Sequence, residues 1–515
     1  MNARRLTTLL AGLTLAACGT TVPVTSQVAA GSSGLGPGGV SGQPPGTTGS
    51  PSLDGASTGL VTGGSSDVAG SRPGQVSAPT SASSGAGAPR MSTGGGSLAA
   101  KGPGWDQRNL YLGFTSQEDL STALKGLGVS FDPGSIQADV KAFVRYLNAH
   151  GGVLGHQIVP VFRDHPSAES ADAGASATCA AFTQDNHVAA VVNGVAPIET
   201  QAFLECMRKT ATPLVSTGYS TYDDATYRKY GPYVVTDVVP SMTSSVPGFV
   251  PMLKSAGYLT GWDATTGSPS KAPVVVGILE PDTPAGHSAA GLQATAFKRA
   301  EVGIATYFYR EDPSTYSSDM SAAILQFRQA HVTHMTDITN TDTGILFFAQ
   351  TAQQQRFYPR WAVTSWELPA TAAQVLAQGG MSKQLNGAVG VGWTPGGDVD
   401  DPQDPGRTGS QARCDTAMKQ AGIDHSASDK RTARYVAWAL CDAIDVTVNG
   451  FVAAHAFGAP AFRQGLALSG QSFRPAATFA SGLSGSAPWV PNTFRVLVYD
   501  NACTCFSYRG ATRRF

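Results

Sequence analysis

From Trp105 onward, apolar runs of β-branched and aromatic residues alternate with amphipathic helical stretches, and this alternation limits the chain to an α/β fold with parallel strands. "NLYLGFTS" (Asn109 to Ser116) reads as a strand, and "GSIQADVKAFVRYLNAHGG" places Ile136, Val140, Phe143, Val144 and Leu147 on one helical face. "HQIVPVFRDH" is the next strand. "ESADAGASATCAAFTQDN" reads as a helix, "VAAVVNG" as a strand, "ETQAFLECMRKT" as a helix and "PLVSTGYS" as a strand. A second series follows: "APVVVGILEP", a helix from about residue 286 to 300, "GIATYFYRE", a helix from 317 to 331, "TGILFFA" as a strand, a short helical piece, "RWAVTSWE" and "NGAVGVGW". Two doubly wound series imply two lobes with parallel central sheets and a ligand cleft between them. In "YLNAHGGVLGHQIVPVFRDHP" the Val, Ile and Phe residues are expected to be covered on both faces. Arg163, Asp164 and His165 then stand at the carboxyl end of the strand, where such sheets form their binding crevice.

The extended run "PYVVTDVVPSMTSS" separates the two series, so the chain is expected to cross between lobes near Pro240. A second crossing is expected at Trp393 to Gly397, before the long helices of "ARYVAWALCDAIDVTVNGFVAA". The end, "TFRVLVYDNACTCFSY", returns to strand character. The expected organisation is residues 105–240 and 394–490 in lobe 1, with 241–393 and 491–515 in lobe 2.

The first fifth of the chain is different. "MNARRLTTLLAGLTLAACG" has a cationic start and a short apolar region, as in a secretory signal, and Leu15-Ala16-Ala17-Cys18 is similar to the bacterial lipobox, whose cysteine is acylated. Residues 19–104 are nearly all Gly, Ser, Ala, Pro, Thr and Val, a composition that cannot offset its own ordering entropy. They are expected to form a tether reaching roughly 50 Å. Localisation follows as exported and lipid-anchored to the outer face of the cell membrane, with no membrane contact beyond the anchor. The net charge of −1 and a charged fraction of 14% supply no basic field for nucleic acid. Six cysteines remain after Cys18. Six allow 15 connectivities; proximity favours Cys179–Cys206, Cys414–Cys441 and Cys503–Cys505, each longer loop contributing roughly 3 to 4 kcal/mol.

With these elements in order, "YLNAHGGVLGHQIVPVFRDHPS", "VAAVVNGVAP", "TPLVSTGYS" and "ARYVAWALCDAIDVTVNGF" resemble the type I periplasmic binding proteins, in particular the branched-chain amino acid receptors of ABC importers. The resemblance covers about 105 to 508. It implies a venus-flytrap monomer without cofactor or catalysis that closes on a small polar metabolite, such as an amino acid, and delivers it to a permease. It also implies that the loop containing Thr217, Gly218, Tyr219 and Ser220 meets the ligand carboxylate, and that Glu367, with Trp366 beside it, holds an ammonium. Two positions depart from the family pattern. Gly194, Val195, Ala196 and Pro197 stand where a serine is usual, and Pro284 lies where an aromatic is usual. A tethered sensor or scaffold of the same fold is the alternative function.

Other chemistry has weaker support in the residues. "GHSAAG" misses the nucleophile elbow of hydrolases because residue 290 is Ala and "PDTPA" separates Ser288 from its strand. His331 and His334 lack a third ligand, so no metal is expected. Asp164 and Glu280 end strands and could pair as acid and base. Tyr219, Tyr222, Tyr227, Tyr230 and Tyr233 could line the cleft rim or lie on the surface, and Trp361 and Trp393 are expected in the core.

Overall fold

The computed structural model describes residues 101–126, 131–218, 220–231, 233–310, 314–337, 343–400, 409–484 and 486–515. Cys18 and residues 1–100 of the stretch read as signal and tether lie outside them, as does Tyr219; the last residues of the tether reading, 101–104, instead belong to the folded part, where the Gly104 carbonyl accepts from the Tyr111 amide. Lobe 1 is built on a parallel sheet ordered β2-β1-β3-β4-β5, from β1 (Asn109–Ser116), β2 (Gln157–Asp164), β3 (Ala190–Asn193), β4 (Leu214–Ser216) and β5 (Val234–Thr236). Leu110, Leu112 and Phe114 of β1 are buried. The helix Ile136–Ala149 starts at an N-cap, where Ser135 accepts from the Ala138 amide, and lays Ile136, Val140, Phe143 and Val144 into the core.

Lobe 2 carries a short antiparallel pair, β6 (Trp262–Asp263) and β7 (Ser268–Pro269). Its main sheet holds β8 (Val275–Pro281), β9 (Gly303–Tyr309), β10 (His334–Thr336), β11 (Arg360–Thr364), β12 (Val389–Gly392), β13 (Thr493–Asp500) and β14 (Cys505–Arg514). The order is β14-β13-β12-β11-β10-β8-β9. Strands β8 to β12 run parallel, while β13 and β14 pair antiparallel at one side, so this sheet is mixed. Between β12 and β13 the chain returns to lobe 1. There the helices Gly409–Gln420 and Arg431–Ala454 pack on Ile136–Ala149, and the second also packs on β3 and β4.

The helix Arg431–Ala454 is long and apolar enough to cross a membrane, yet it is buried along nearly its whole length. It crosses the helix Ala459–Ser469 at two glycines, where a Cβ on Gly465 would lie 1.6 Å from the Gly450 carbonyl oxygen. Cys179–Cys206 joins two successive helices of lobe 1, and Cys414–Cys441 joins two of the return helices. Cys503–Cys505 closes the β13–β14 turn.

Three readings of single elements are corrected. β2 is an edge strand in which only Ile158 is buried, so it is not covered on both faces; Pro160 fits there because an edge needs fewer ladder bonds. "TGILFFA" opens the helix Thr343–Gln354, and the strand in that part of the sheet is the three-residue β10. A short apolar run has no period that separates helix from strand, and three residues give almost no pattern. The end of "PYVVTDVVPSMTSS" starts the helix Met242–Ser255, which contains Pro247 and Pro251. Burial of Met242, Val246, Phe249, Val250 and Leu253 along one face outweighs the two prolines.

Candidate functional site

The carboxyl ends of β3 and β4 are fixed by one asparagine and one glutamate. Asn193, the last residue of β3, accepts at Oδ1 from the Thr115 hydroxyl and the Ala196 amide, and its Nδ2 donates to the Ala196 carbonyl and to Glu199 Oε1 at 2.6 Å. Its own carbonyl accepts from Thr217 Oγ1 at 2.7 Å, which ties the loop after β4 to the loop after β3. Glu199 is buried. Burial pushes its carboxyl upward, opposed by hydrogen bonds from Ser216, Tyr222, Asn193 and Ser220. Gly218 has φ +87°, and a Cβ there would meet Val238 Cγ2 at 2.5 Å, so the loop requires glycine on both counts. Thr217, Gly218 and Ser220 thus stand together at the end of β4, with the Ser220 side chain hydrogen-bonded to Glu199.

The matching end of lobe 2 is held by capping and by aromatic packing. After β11, Glu367 Oε2 accepts from the Thr364 amide and, at 2.9 Å, from the Thr364 hydroxyl in a capping box. Its Oε1 is buried with no hydrogen-bond partner among the described residues, and burial holds its carboxyl well above the usual range. Trp366 is buried, with its ring 4.8 Å from Trp393 and 5.9 Å from Phe249.

The two ends meet through the crossing segments. Trp393 Nε1 donates to the Val238 carbonyl at 2.7 Å, and Val238 is the residue against which Gly218 packs. Ser288 Oγ reaches Asp223 Oδ2 at 3.4 Å, and the Val490 amide donates to the Thr236 carbonyl. Asp398 binds this junction together: it accepts from Ser365 Oγ at 2.8 Å, from the Thr394 amide and hydroxyl at 3.0 Å each, and from the Tyr508 hydroxyl at 2.6 Å. Burial pushes Asp398 up to about 6. Asp237 is fully buried with neither carboxylate oxygen hydrogen-bonded among the described residues, and burial, reinforced by Asp442, raises it strongly. Asp442 accepts from the Ala476 and Ala477 amides and is pushed up to about 8 by burial.

The remaining candidates take structural places. His287 pairs with Asp282 at 2.8 Å and stacks on Phe308, so its ring is not directed to Ser288. His331 is exposed, whereas His334 is buried in β10, lies edge-on to Tyr258 and is lowered to about 4 by burial. Asp164 accepts from Ser116 Oγ and the Glu118 amide in lobe 1, while Glu280 is bound by Gln293 in lobe 2, so the two carboxylates do not form a pair. Arg163 and His165 both bind Glu169. Tyr222, Tyr227 and Tyr230 are buried in a small core of lobe 1, neither on a rim nor on the surface, and Trp361 and Trp393 are buried. A cavity of about 800 Å³ beside edge strand β5 is lined by Tyr227, Phe462, Trp489, Arg228 and Arg463.

Asn193, Glu199, Asp237, Asp398 and Asp442 were not singled out from the sequence. Asp237 and Asp442 did carry a signal, because each is an acid inside an apolar run, "VVTDVV" and "WALCDAI". Residues 120–467 match the family model described as periplasmic binding protein. Among solved structures, the chain is similar to a branched-chain amino acid ABC transporter protein from Thermus thermophilus with bound valine, at 11% identity and TM-score 0.57 over 79% of this chain and 97% of that one. It is also similar to a solute-binding protein of an ABC transporter from Rhodopseudomonas palustris in complex with p-hydroxybenzoic acid, at 11% identity and TM-score 0.55 over 79% and 97%. A fatty acid ABC transporter substrate-binding protein from Thermomonospora curvata gives 13% identity and TM-score 0.54 over 81% and 95%. These likenesses establish the type I two-lobed fold. No curated protein has a sequence that matches this one.

Proposed function

The chain belongs to the periplasmic binding protein family, and on that footing we propose that it is an extracytoplasmic solute-binding protein of an ABC importer. It works as a monomer without catalysis, closing its lobes on a small polar metabolite, an amino acid or a related carboxylate. The observation that carries this reading is the polar turn of Thr217, Gly218 and Ser220 at the end of β4, where Gly218 has φ +87° and Ser220 bonds to Glu199. Amides and a hydroxyl in a fixed loop suit an anionic oxygen. Burial raises Glu199, and the hydrogen bonds it accepts from Asn193 and Tyr222 occupy its oxygens on the protein side of the loop. From lobe 2 the proposed partner of a ligand ammonium is Glu367, whose Oε1 has no hydrogen-bond partner among the described residues and whose raised carboxyl the ammonium charge would draw back toward the ionised form.

Thermal-shift titration with amino acids, aromatic acids and other carboxylates tests the reading. A ligand at a hundred times its dissociation constant should add about 2.7 kcal/mol. Ser220→Ala should weaken binding by about 1 kcal/mol or more. Glu367→Gln should weaken ammonium-bearing ligands further and spare acids that lack an amine. If Glu367→Gln changes the melting temperature but no affinity, Glu367 is a cap alone. A panel that leaves the melting curve unmoved, with no co-purified small molecule, would sink the solute-receptor reading in favour of a tethered sensor or scaffold.

We also propose that Cys18 is acylated and that residues 19–104 tether the folded lobes to the outer face of the membrane. The cationic start, apolar stretch and lipobox-like end support this. Cys18→Ser should move the protein from the membrane to the soluble fraction, as expected when one lipid-bearing thiol is the sole anchor. Retention of that variant in washed membranes would count against the anchor.

A further inference from the structure

The third disulfide differs from the other two in the length of chain it closes and in the exposure of one of its sulfurs. Cys179–Cys206 and Cys414–Cys441 each span 27 residues and join helices, whereas Cys503–Cys505 spans two. Loop-closure stabilisation grows with the length enclosed, so the short bridge adds least to the fold. The β13–β14 hairpin has its own support, a ladder pairing Leu497 with Tyr508, Val498 with Ser507 and Tyr499 with Phe506. Access differs as well. Cys414 and Cys441 are 0% and 1% exposed, and Cys179 and Cys206 are half-buried between helices, while Cys503 and Thr504 are exposed at the turn and Cys505 is half-buried. The residue between the two sulfurs, Thr504, has φ +54°. A β-branched residue rarely occupies that region, and opening the ring frees it to leave.

We propose that Cys503–Cys505 is a thiol–disulfide exchange site that oxidises small thiols at the surface of lobe 2, independent of the ligand cleft. A thiolate attacks the exposed Cys503 sulfur, the S–S bond breaks, and its electron pair leaves on Cys505 Sγ, which takes a proton from water. A second thiolate attacks the sulfur of the first thiol in the mixed disulfide and releases Cys503 as a thiolate, which is protonated in turn. In net, two thiols are oxidised to one disulfide and the protein disulfide is reduced to a dithiol, with two electrons and two protons balanced. The disulfide of the small thiol reverses the reaction by the same steps.

The test uses the full chain equilibrated in graded mixtures of reduced and oxidised glutathione, quenched with N-ethylmaleimide and mapped by peptide mass spectrometry. The Cys503–Cys505 pair should be half-reduced at an excess of reduced glutathione about tenfold or more below that needed for either other pair. In the Cys505→Ser variant, glutathione should be found on Cys503. A smaller separation from the other pairs in the unaltered protein, or the absence of the adduct from a folded Cys505→Ser protein, overturns the proposal.

Discussion

Trp393→Ala should lower the unfolding free energy by about 3 to 5 kcal/mol, the range for emptying a buried large aromatic site. Trp393 is fully buried between Trp366, Phe249 and Phe515, and its Nε1 holds the Val238 carbonyl at the crossing between lobes. The truncation therefore opens a cavity and also leaves a buried carbonyl without its donor. Trp393→Phe keeps most of the ring and should lose less, with about 1 kcal/mol of the loss assigned to the missing N–H. Urea unfolding followed by far-ultraviolet circular dichroism measures both. A loss below about 1 kcal/mol for the alanine variant would show that the aromatic cluster does not clamp the crossing.

Asp442→Ala should cost about 2 to 5 kcal/mol, because the buried amides of Ala476 and Ala477 would both lose their acceptor. Asp442→Asn keeps one carbonyl oxygen for them and should cost less than half as much. The two variants also differ from the unaltered protein in pH response. Asp442 is pushed up to about 8 and Asp398 and Asp445 to about 6, all chiefly by burial. The folded protein thus retains protons that the unfolded chain releases. The stability this contributes is complete below the unfolded carboxylate value of about 4 and is lost progressively as pH rises from there, by about 6 for Asp398 and Asp445 and by about 8 for Asp442. Opposed to this, hydrogen bonds hold Asp106 at about 2, and Asp132 and Asp319 are lowered by partners led by Lys430 and Arg310; their contribution is lost in acid. Stability should therefore peak near pH 4 and fall from there toward pH 8, most steeply between about 4 and 6, where all three raised acids lie between their unfolded and folded values. Between pH 6 and 8, Asp442→Asn should flatten the decline by up to about 1.4 kcal/mol per pH unit. An unchanged slope in that variant would show that Asp442 titrates as an ordinary exposed carboxylate.

The strand-and-helix alternation was legible because most elements carry a period, as in the helix starting at Ile136, or a continuous apolar run, as in β8. The two-lobed class follows from that order. Three kinds of information were not local. β10 has three residues, too few for a pattern. The helix containing Pro247 and Pro251 depends on packing that a proline count opposes. The exposure of β2 depends on its place at the sheet edge, which only the assembled order reveals. At the candidate site, the Gly218 turn could be read from its glycine and hydroxyl neighbours. The role of Glu199 could not, because its partners Asn193, Ser216 and Tyr222 come from the ends of β3 and β4 and from the segment after β4, which only the assembled sheet brings together.

The helix Arg431–Ala454 poses a hazard that ends once the protein is folded. A chain passing a lipid bilayer unfolded presents this segment as a candidate span, since its length and hydropathy satisfy that test. Asp442 and Asp445 lie near its middle. A central aspartate opposes insertion by about 2.5 to 3.5 kcal/mol, whereas each Leu, Ile, Val or Phe favours it by only about 0.3 to 0.6 kcal/mol. Two such acids more than offset the segment's Leu, Ile, Val and Phe residues, biasing it away from lipid. The carboxyls that are costly to bury in lobe 1 are thus the same groups that keep the segment available for the fold.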